Sequence, residues 1–228
     1  MFERFPDRRR VRILVFMTSI NPWQKKPWAL DKKINNFGLP RGIRGWVTGM
    51  VMYWGNRPHQ REILSLVDIR PGHRVLDVGY GPGWLVRTIS EISPEVSVAG
   101  VDPSEQMRRM AVRHNRRGVA SGQVKLWVGS AEATGLSDAS FDCVLSVNNL
   151  ALWPDLDAGL RELARVLRPG GTLAIAWHSS AAPDKIQRSL GLPEEKLEFV
   201  RARMGELFVD VKRKDMENTV VFVAGGPL

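Results

Sequence analysis

Val75-Leu76-Asp77-Val78-Gly79-Tyr80-Gly81-Pro82-Gly83 decides the reading of this chain. A short apolar, β-branched run ends in an acid and then breaks into three glycines at alternate positions. Apolar β-branched residues suit a strand buried on both faces of a parallel sheet. The glycines let the backbone turn sharply and come close to a ligand with no Cβ in the way. Trp84-Leu85-Val86 and the residues after them read as a helix whose free N–H groups would face that ligand. A dinucleotide fingerprint, G-x-G-x-x-G, would put glycine at position 84, where this chain has Trp84.

Six further strands support a sheet built in this way. Val96 to Val101 is followed by Asp102, about one βα unit beyond the glycines. An acid at that distance accepts hydrogen bonds from ribose hydroxyls in βαβ nucleoside sites. The competing reading is a solvated acid capping the next helix at Pro103-Ser104-Glu105. Val124 to Val128 leads into Gly129-Ser130-Ala131-Glu132, and Phe141 to Val147 is a fourth strand. A helix follows with Leu156, Leu160, Leu163 and Leu167 on one face, and Arg168-Pro169-Gly170-Gly171 reads as its stop. Thr172 to Trp177 is the fifth strand. Phe208 to Arg213 and Thr219 to Ala224 are two closing strands, joined by a short turn and therefore antiparallel.

The glycine turn after an acid-tipped strand, with the run from Phe141 to Trp177, resembles the class I S-adenosylmethionine (SAM) dependent methyltransferases. Within that family it is similar to the group containing quinone-biosynthesis and many secondary-metabolite enzymes. The resemblance covers residues 70–180 and, more loosely, the whole chain. It implies an α/β, Rossmann-like seven-stranded sheet with helices on both faces and a C-terminal antiparallel hairpin. It also implies SAM as cofactor. Asp77, Gly79, Gly81 and Gly83 would shape the methionine end of its pocket, and Asp102 would hold the ribose. Ser130 and Ala131 would meet the adenine edge, Ser130 standing where the family usually has Asp. Asn148 would lie near the sulfonium, and Tyr80 either covers the cofactor or packs.

Methyl transfer from a sulfonium needs alignment and exclusion of water more than acid–base chemistry. A base, where one is needed, is expected at His178, at the C-terminal end of the fifth strand, with His59 as second choice. His178 could equally bind or cap. No Pro-Pro-aromatic signature follows Asn148-Asn149, and the acids that magnesium-dependent catechol-type enzymes use are missing, so no metal is expected. Cys143, the single cysteine, sits within the fourth strand and reads as a buried structural thiol.

Charge divides the chain. Residues 1–60 hold twelve Lys and Arg against three acids, which is the entire net charge of +9. Residues 1–37 are thus expected to be a basic arm, either solvated and partly disordered or meeting an anionic partner such as membrane lipid or nucleic acid. Residues 38–69 read as a helical lid and substrate segment, uncharged from Gly45 to Gly55, and residues 70–228 as the SAM-binding core. Gly45 and Gly49 mark a helix face open to close packing. Trp46, Met50, Tyr53 and Trp54 suggest an apolar chamber or simply a helix closing the core. Basic residues flanking Trp23, Trp28, Trp46 and Trp54 also suit peripheral contact with anionic membrane.

Arg8-Arg9-Arg10 before Val11 to Phe16 imitates a secretory signal, but the apolar run is short and no small-residue cleavage site follows. A cytoplasmic protein, possessing peripheral membrane contact on the interfacial reading, is expected. The leading expectation is methylation of O, N or C on a small or lipophilic metabolite. An RNA or protein methyltransferase using the basic arm, and a SAM-binding protein without transfer activity, are the alternatives.

Overall fold

The computed structural model describes residues 27–29 and 42–228, the side chains of 42–46, 48 and 51 excepted. Two helices, α1 (Gly42–Gly55) and α2 (Arg57–Leu64), precede a seven-stranded sheet. The sheet strands are β1 (Arg74–Val78), β2 (Ser97–Asp102), β3 (Val124–Val128), β4 (Phe141–Val147), β5 (Leu167–His178), β6 (Lys212–Asp215) and β7 (Thr219–Ala224). Between them run α3 (Trp84–Ser90), α4 (Glu105–His114), α5 (Arg116–Ser121), α6 (Leu156–Val166), α7 (Lys185–Ser189) and α8 (Glu194–Gly205). No described helix is long and apolar enough to cross a membrane.

The strand order is β3-β2-β1-β4-β5-β7-β6. The first five strands are parallel, and β7 runs antiparallel to both β5 and β6. The family-like sheet with its reversed C-terminal hairpin is therefore present. Because the order reverses between β1 and β4, their C-terminal ends leave a crevice, where ligands of open α/β sheets bind.

Both faces of the sheet are covered, which explains why the central strands read as unbroken apolar runs. On one face Leu76, Val144, Leu173 and Ile175 pack with Leu160 and Leu163 of α6 and Val200 of α8. On the other, Val75, Cys143, Leu145 and Ala174 pack with Ile63 of α2 and Val86 and Ile89 of α3. The Cys143 thiol is buried, and burial pushes it up to about 12, the behaviour of an inert core residue.

Two strands begin several residues from where the sequence places them. β5 begins at Leu167, not Thr172, and its register with β4 slips between Phe141 and Cys143. Gly170, at φ +74°, absorbs this bulge, and Gly171 lies too close to Leu167 and to the Asp142 carbonyl for any Cβ. β6 begins at Lys212, not Phe208, because Asp210 takes a left-handed φ of +52° and breaks the extended run. Phe208 forms only an isolated bridge to Pro227.

Of the arm, only Pro27 to Ala29 is described, and it is docked on the core. The Trp28 amide donates to the Trp153 carbonyl at 3.0 Å, its indole N–H donates to the Leu150 carbonyl at 2.8 Å, and its ring lies 5.9 Å from that of Phe199. Trp23, the side chain of Trp46 and the expected anionic-partner surface lie outside the described residues.

Candidate active site

A cleft of about 840 Å³, part of it open to solvent, lies over the C-terminal ends of β1, β2 and β4. Its floor is the turn from β1 into α3. Gly79, Gly81 and Gly83 take φ values of +76°, +53° and +87°, a region that side chains with a Cβ rarely adopt. Their surroundings differ. A Cβ on Gly79 would stand 2.3 Å from Asn149 Nδ2, and one on Gly83 would stand 2.7 Å from Ala111 Cβ. At Gly81 only Met52 Cε, at 3.9 Å, would come within reach, so this glycine faces open space. That is the cradle a bound ligand needs.

Asp102 closes the turn from the neighbouring strand. One carboxylate oxygen accepts from the Gly81 amide at 2.9 Å and the other from the Ser104 amide at 2.8 Å. Helix α4 is capped by the Ser104 hydroxyl, which accepts from the Met107 amide, so Asp102 is not the solvated acid of the competing reading. It is buried and lines the cleft, and burial holds its pKa up at about 6 against the two amide donors. Each oxygen keeps an acceptor site for a hydroxyl.

Asp77 lies beneath the turn and is not among the lining residues. Its Oδ2 is buried with no hydrogen-bond partner, and burial, then the Asp102 charge, pushes its pKa up to about 8. Tyr80 packs instead of projecting. Its ring fills the space left by the missing side chain of Gly100, and its hydroxyl donates to the Trp127 carbonyl at 3.0 Å. One edge of it still lines the cleft.

Gly129, Ser130, Ala131 and Glu132 line the far end. Ser130 bridges to Ala133, which turns the chain there. Glu132 Oε1 is buried with no partner, an acceptor the sequence reading did not single out.

At the near end the lid meets β4. Met52, Asn56 and Gln60 line the cleft opposite Asn148. Gly49 brings α1 onto α4, since a Cβ there would stand 2.7 Å from Met110 Sδ. Tyr53 is buried against His114, 4.4 Å between rings, and His114 Nδ1 meets the Pro82 carbonyl at 2.8 Å, which ties α1 to the glycine turn. Trp54 is exposed and carries the Arg57 guanidinium 3.7 Å above its ring, so it is no chamber wall.

His59 and His178, one on α2 and one ending β5, stand edge to face with ring centroids 5.0 Å apart. Both are buried beside the cleft without lining it. Asn148, at φ +56°, is the link: its Nδ2 donates to His59 Nδ1 at 3.2 Å and to Asn56 Oδ1 at 3.4 Å. Burial lowers the pKa of His59, against the nearby Glu62 charge and the Gln187 side chain, which raise it. His178 is pushed down to about 4 by burial and by His59. Glu62 is itself bound by the Asn218 amide and side chain at 2.9 and 2.8 Å and by the Thr219 hydroxyl at 2.5 Å.

The structure adds Asn149, which the sequence reading passed over. Its Nδ2 donates to the Val78 carbonyl at 2.7 Å and the Val147 carbonyl at 3.2 Å. Its Oδ1 accepts from the Ser146 hydroxyl and the Trp153 indole, each at 2.7 Å. This one amide joins the ends of β1 and β4 to the cleft wall.

Residues 75–171 match the family model described as a methyltransferase domain. The chain is 32% identical over 142 residues to the uncharacterized methyltransferase YdaC of Bacillus subtilis, covering 61% of this chain and 76% of that one. It is 39% identical over 121 residues to nocamycin O-methyltransferase of Saccharothrix syringae, covering 52% of this chain but only 42% of that one. Among solved structures, a SAM-dependent methyltransferase from Aquifex aeolicus superposes with a TM-score of 0.65 at 18% identity, over 78% of this chain and 97% of that one.

Proposed function

The chain belongs to the methyltransferase-domain family, and from that premise we propose that it moves the methyl group of SAM to O, N or C of a small or lipophilic metabolite. The observation that carries the cofactor is the Gly81 turn, open towards the cleft and held there by Asp102. Bound in this cleft, SAM would supply a methyl group already activated by its sulfonium, the electron pair of the broken bond remaining on sulfur.

The chain's own residues position and shield. Gly79 and Gly81 give the methionine end close backbone contact, Gly83 shapes it by letting α4 pack against the turn, and Asp102 takes the ribose hydroxyls. Asn148 stands at the reacting end. Tyr80 packs beneath the turn and shapes it, and Asp77 keeps a buried acid below. Ser130 and Ala131 shape the adenine end, where Glu132, with its unpartnered oxygen, supplies the carboxylate missing at position 130. His178, with His59 beside it, is the candidate base for an acceptor that must lose a proton, but neither ring lines the cleft, so this role would require the acceptor to reach past Asn148. Residues 38–69 act as the lid over the core of 70–228, with the basic arm of 1–37 before them.

The test is to incubate the purified protein with methyl-labelled SAM and a host-cell extract, and to separate lipid, small-molecule, RNA and protein fractions. Label in the lipid or small-molecule fraction is expected. Label confined to RNA or protein would replace this reading with a macromolecular one.

A further inference from the structure

Helix α1 carries no charge from Gly45 to Gly55, yet only one of its faces is covered. Gly49 and Tyr53 are buried on α4, against Met110 and His114. Val47 and Trp54, seven positions and so two turns apart, share the opposite face and are 51% and 57% exposed. Apart from the Arg57 guanidinium over Trp54, the described residues leave this stripe open. A helix without a charged face needs an apolar partner on each side.

Positive charge surrounds the stripe. The Arg57 guanidinium lies 3.7 Å above the Trp54 ring and 5.7 Å from the Trp84 ring, and that of Arg61 lies 6.0 Å from Trp84. Arg113 precedes His114, whose ring stands 4.4 Å from that of Tyr53. Arg116 and Arg117 follow Asn115, whose side chain donates to the Gly83 carbonyl, next to Trp84. Arg61, Arg113, Arg116 and Arg117 are exposed, and neither they nor Arg57 has an ion pair among the described residues. The neighbouring acids are engaged: Glu62 by Asn218 and Thr219, Glu91 by Arg87, and Glu105 by Arg108 and Arg109.

Charge decides what covers this face. A second copy, docked about a two-fold axis, would set the same arginines against each other. Residues 1–41 hold ten Lys and Arg against three acids, so like charge opposes the chain's own arm as well. An anionic partner is left. A nucleic acid would stack its bases on an aromatic ring, but Arg57 already occupies one face of Trp54, and Val47 offers nothing to a phosphate. A lipid surface uses both features, because apolar side chains enter the acyl boundary while the arginines stay at the phosphates.

We propose that the outer face of α1, ringed by the arginines of α2, α4 and α5, seats the protein on an anionic lipid surface, with Val47 and Trp54 entering the interface. Met52 and Asn56 of the same helical segment line the cleft, so this seating brings the mouth of the cleft towards the lipid. The surface stands without the methyl-transfer reading; only its use in delivering a lipophilic acceptor rests on that reading.

Cys143 is buried, so a cysteine placed on the surface of the full chain takes a nitroxide selectively. Val47→Cys and, at the opposite end of α3 from Trp84, Ile92→Cys are labelled and mixed with vesicles of phosphatidylglycerol or of phosphatidylcholine. With phosphatidylglycerol the nitroxide at position 47 is expected to gain access to oxygen and to lose access to a water-soluble nickel chelate. The one at position 92 is expected to stay in water, as both are with phosphatidylcholine. The triple variant Arg113→Gln, Arg116→Gln, Arg117→Gln should bind the anionic vesicles about tenfold or more weakly, and the nitroxide decides the matter where that variant fails to fold. Vesicle binding that leaves position 47 in water, or that is lost on neutralising Arg8, Arg9 and Arg10 but not the other three, would assign the lipid to the arm and overturn the surface. A nitroxide at 47 shielded without vesicles as protein concentration rises would make this a dimer face, and one immobilised by RNA in preference to vesicles would make it a nucleic-acid surface; either overturns the proposal.

Discussion

The Gly81 amide donates to the Asp102 carboxylate at 2.9 Å, so the acid ending β2 sets the shape of the turn that follows β1. One residue thus organises the floor of the cleft and remains available to a ligand above it. Asp102→Ala should weaken SAM binding by roughly 1.5–3 kcal/mol, the value of a charge-assisted hydrogen bond. Asp102→Asn, whose amide oxygen can still accept from Gly81, should retain more of the fold's stability and still bind less tightly. Titration calorimetry reads both. Wild-type affinity in the two variants would remove Asp102 from the cofactor site.

Gly79 and Gly122 offer a controlled comparison. Their φ values, +76° and +80°, are nearly the same, but a Cβ on Gly122 would meet nothing within 4 Å while one on Gly79 would collide with Asn149. Gly122→Ala should cost about 1–2 kcal/mol from left-handed backbone strain alone. Gly79→Ala should cost a further 1–3 kcal/mol or so, because Asn149 must release buried carbonyls. Urea unfolding measures the difference. Equal costs would mean that Asn149 moves aside freely.

The contrast also explains what the sequence could reveal. The β1 turn, β4, α6 and β7 are local patterns, readable because their apolar spacing and glycines are contiguous. Asn149 was invisible because its bond to Val78 crosses from β4 to β1, which only the sheet brings together, while its bonds to Ser146, Val147 and Trp153 depend on a local turn that the apolar pattern does not specify. His59 and His178 appeared as separate candidates, 119 positions apart, and it is the docking of α2 beside the end of β5 that makes them neighbours. Glu132 was overshadowed by attention to Ser130, since composition alone does not tell which oxygen is left unpartnered. The start of β5 and of β6 depended on a bulge at Gly170 and a left-handed Asp210, neither of which alters the apolar pattern.

The buried histidines give stability a pH dependence of definite sign. His178 falls from 6.5 to about 4 on folding, and His59 shifts in the same direction. Between those values the unfolded chain binds protons that the folded chain refuses, so stability is full above pH 6.5 and is lost as pH falls towards 4. For His178 alone the loss is roughly 3 kcal/mol. Chemical denaturation of wild type and His178→Gln across this window should show the wild type losing stability more steeply on acidification. Parallel curves would show that His178 titrates normally in the folded protein.

Asp77 works in the opposite sense and tests whether the acid beneath the turn is kept for function. Its folded pKa, about 8, lies above the ordinary 3.8, so its contribution is complete below 3.8 and is lost as pH rises through 8. The cause is burial first and Asp102 second, and no hydrogen bond to Oδ2 offsets either. Asp77→Asn, isosteric and always neutral, should therefore gain on the wild type in melting temperature as pH is raised from 4 to 8. A residue that costs stability at neutral pH has its justification elsewhere, and a positively charged ligand over the turn would supply it by favouring the ionised acid. SAM binding at pH 7 should then release protons from the wild type, seen as a dependence of the binding enthalpy on the buffer's ionisation enthalpy, and release fewer from Asp77→Asn. A variant that gains nothing with pH would place Asp77 outside this account, and one that gains stability with unchanged proton release would assign the acid a purely structural part in the turn.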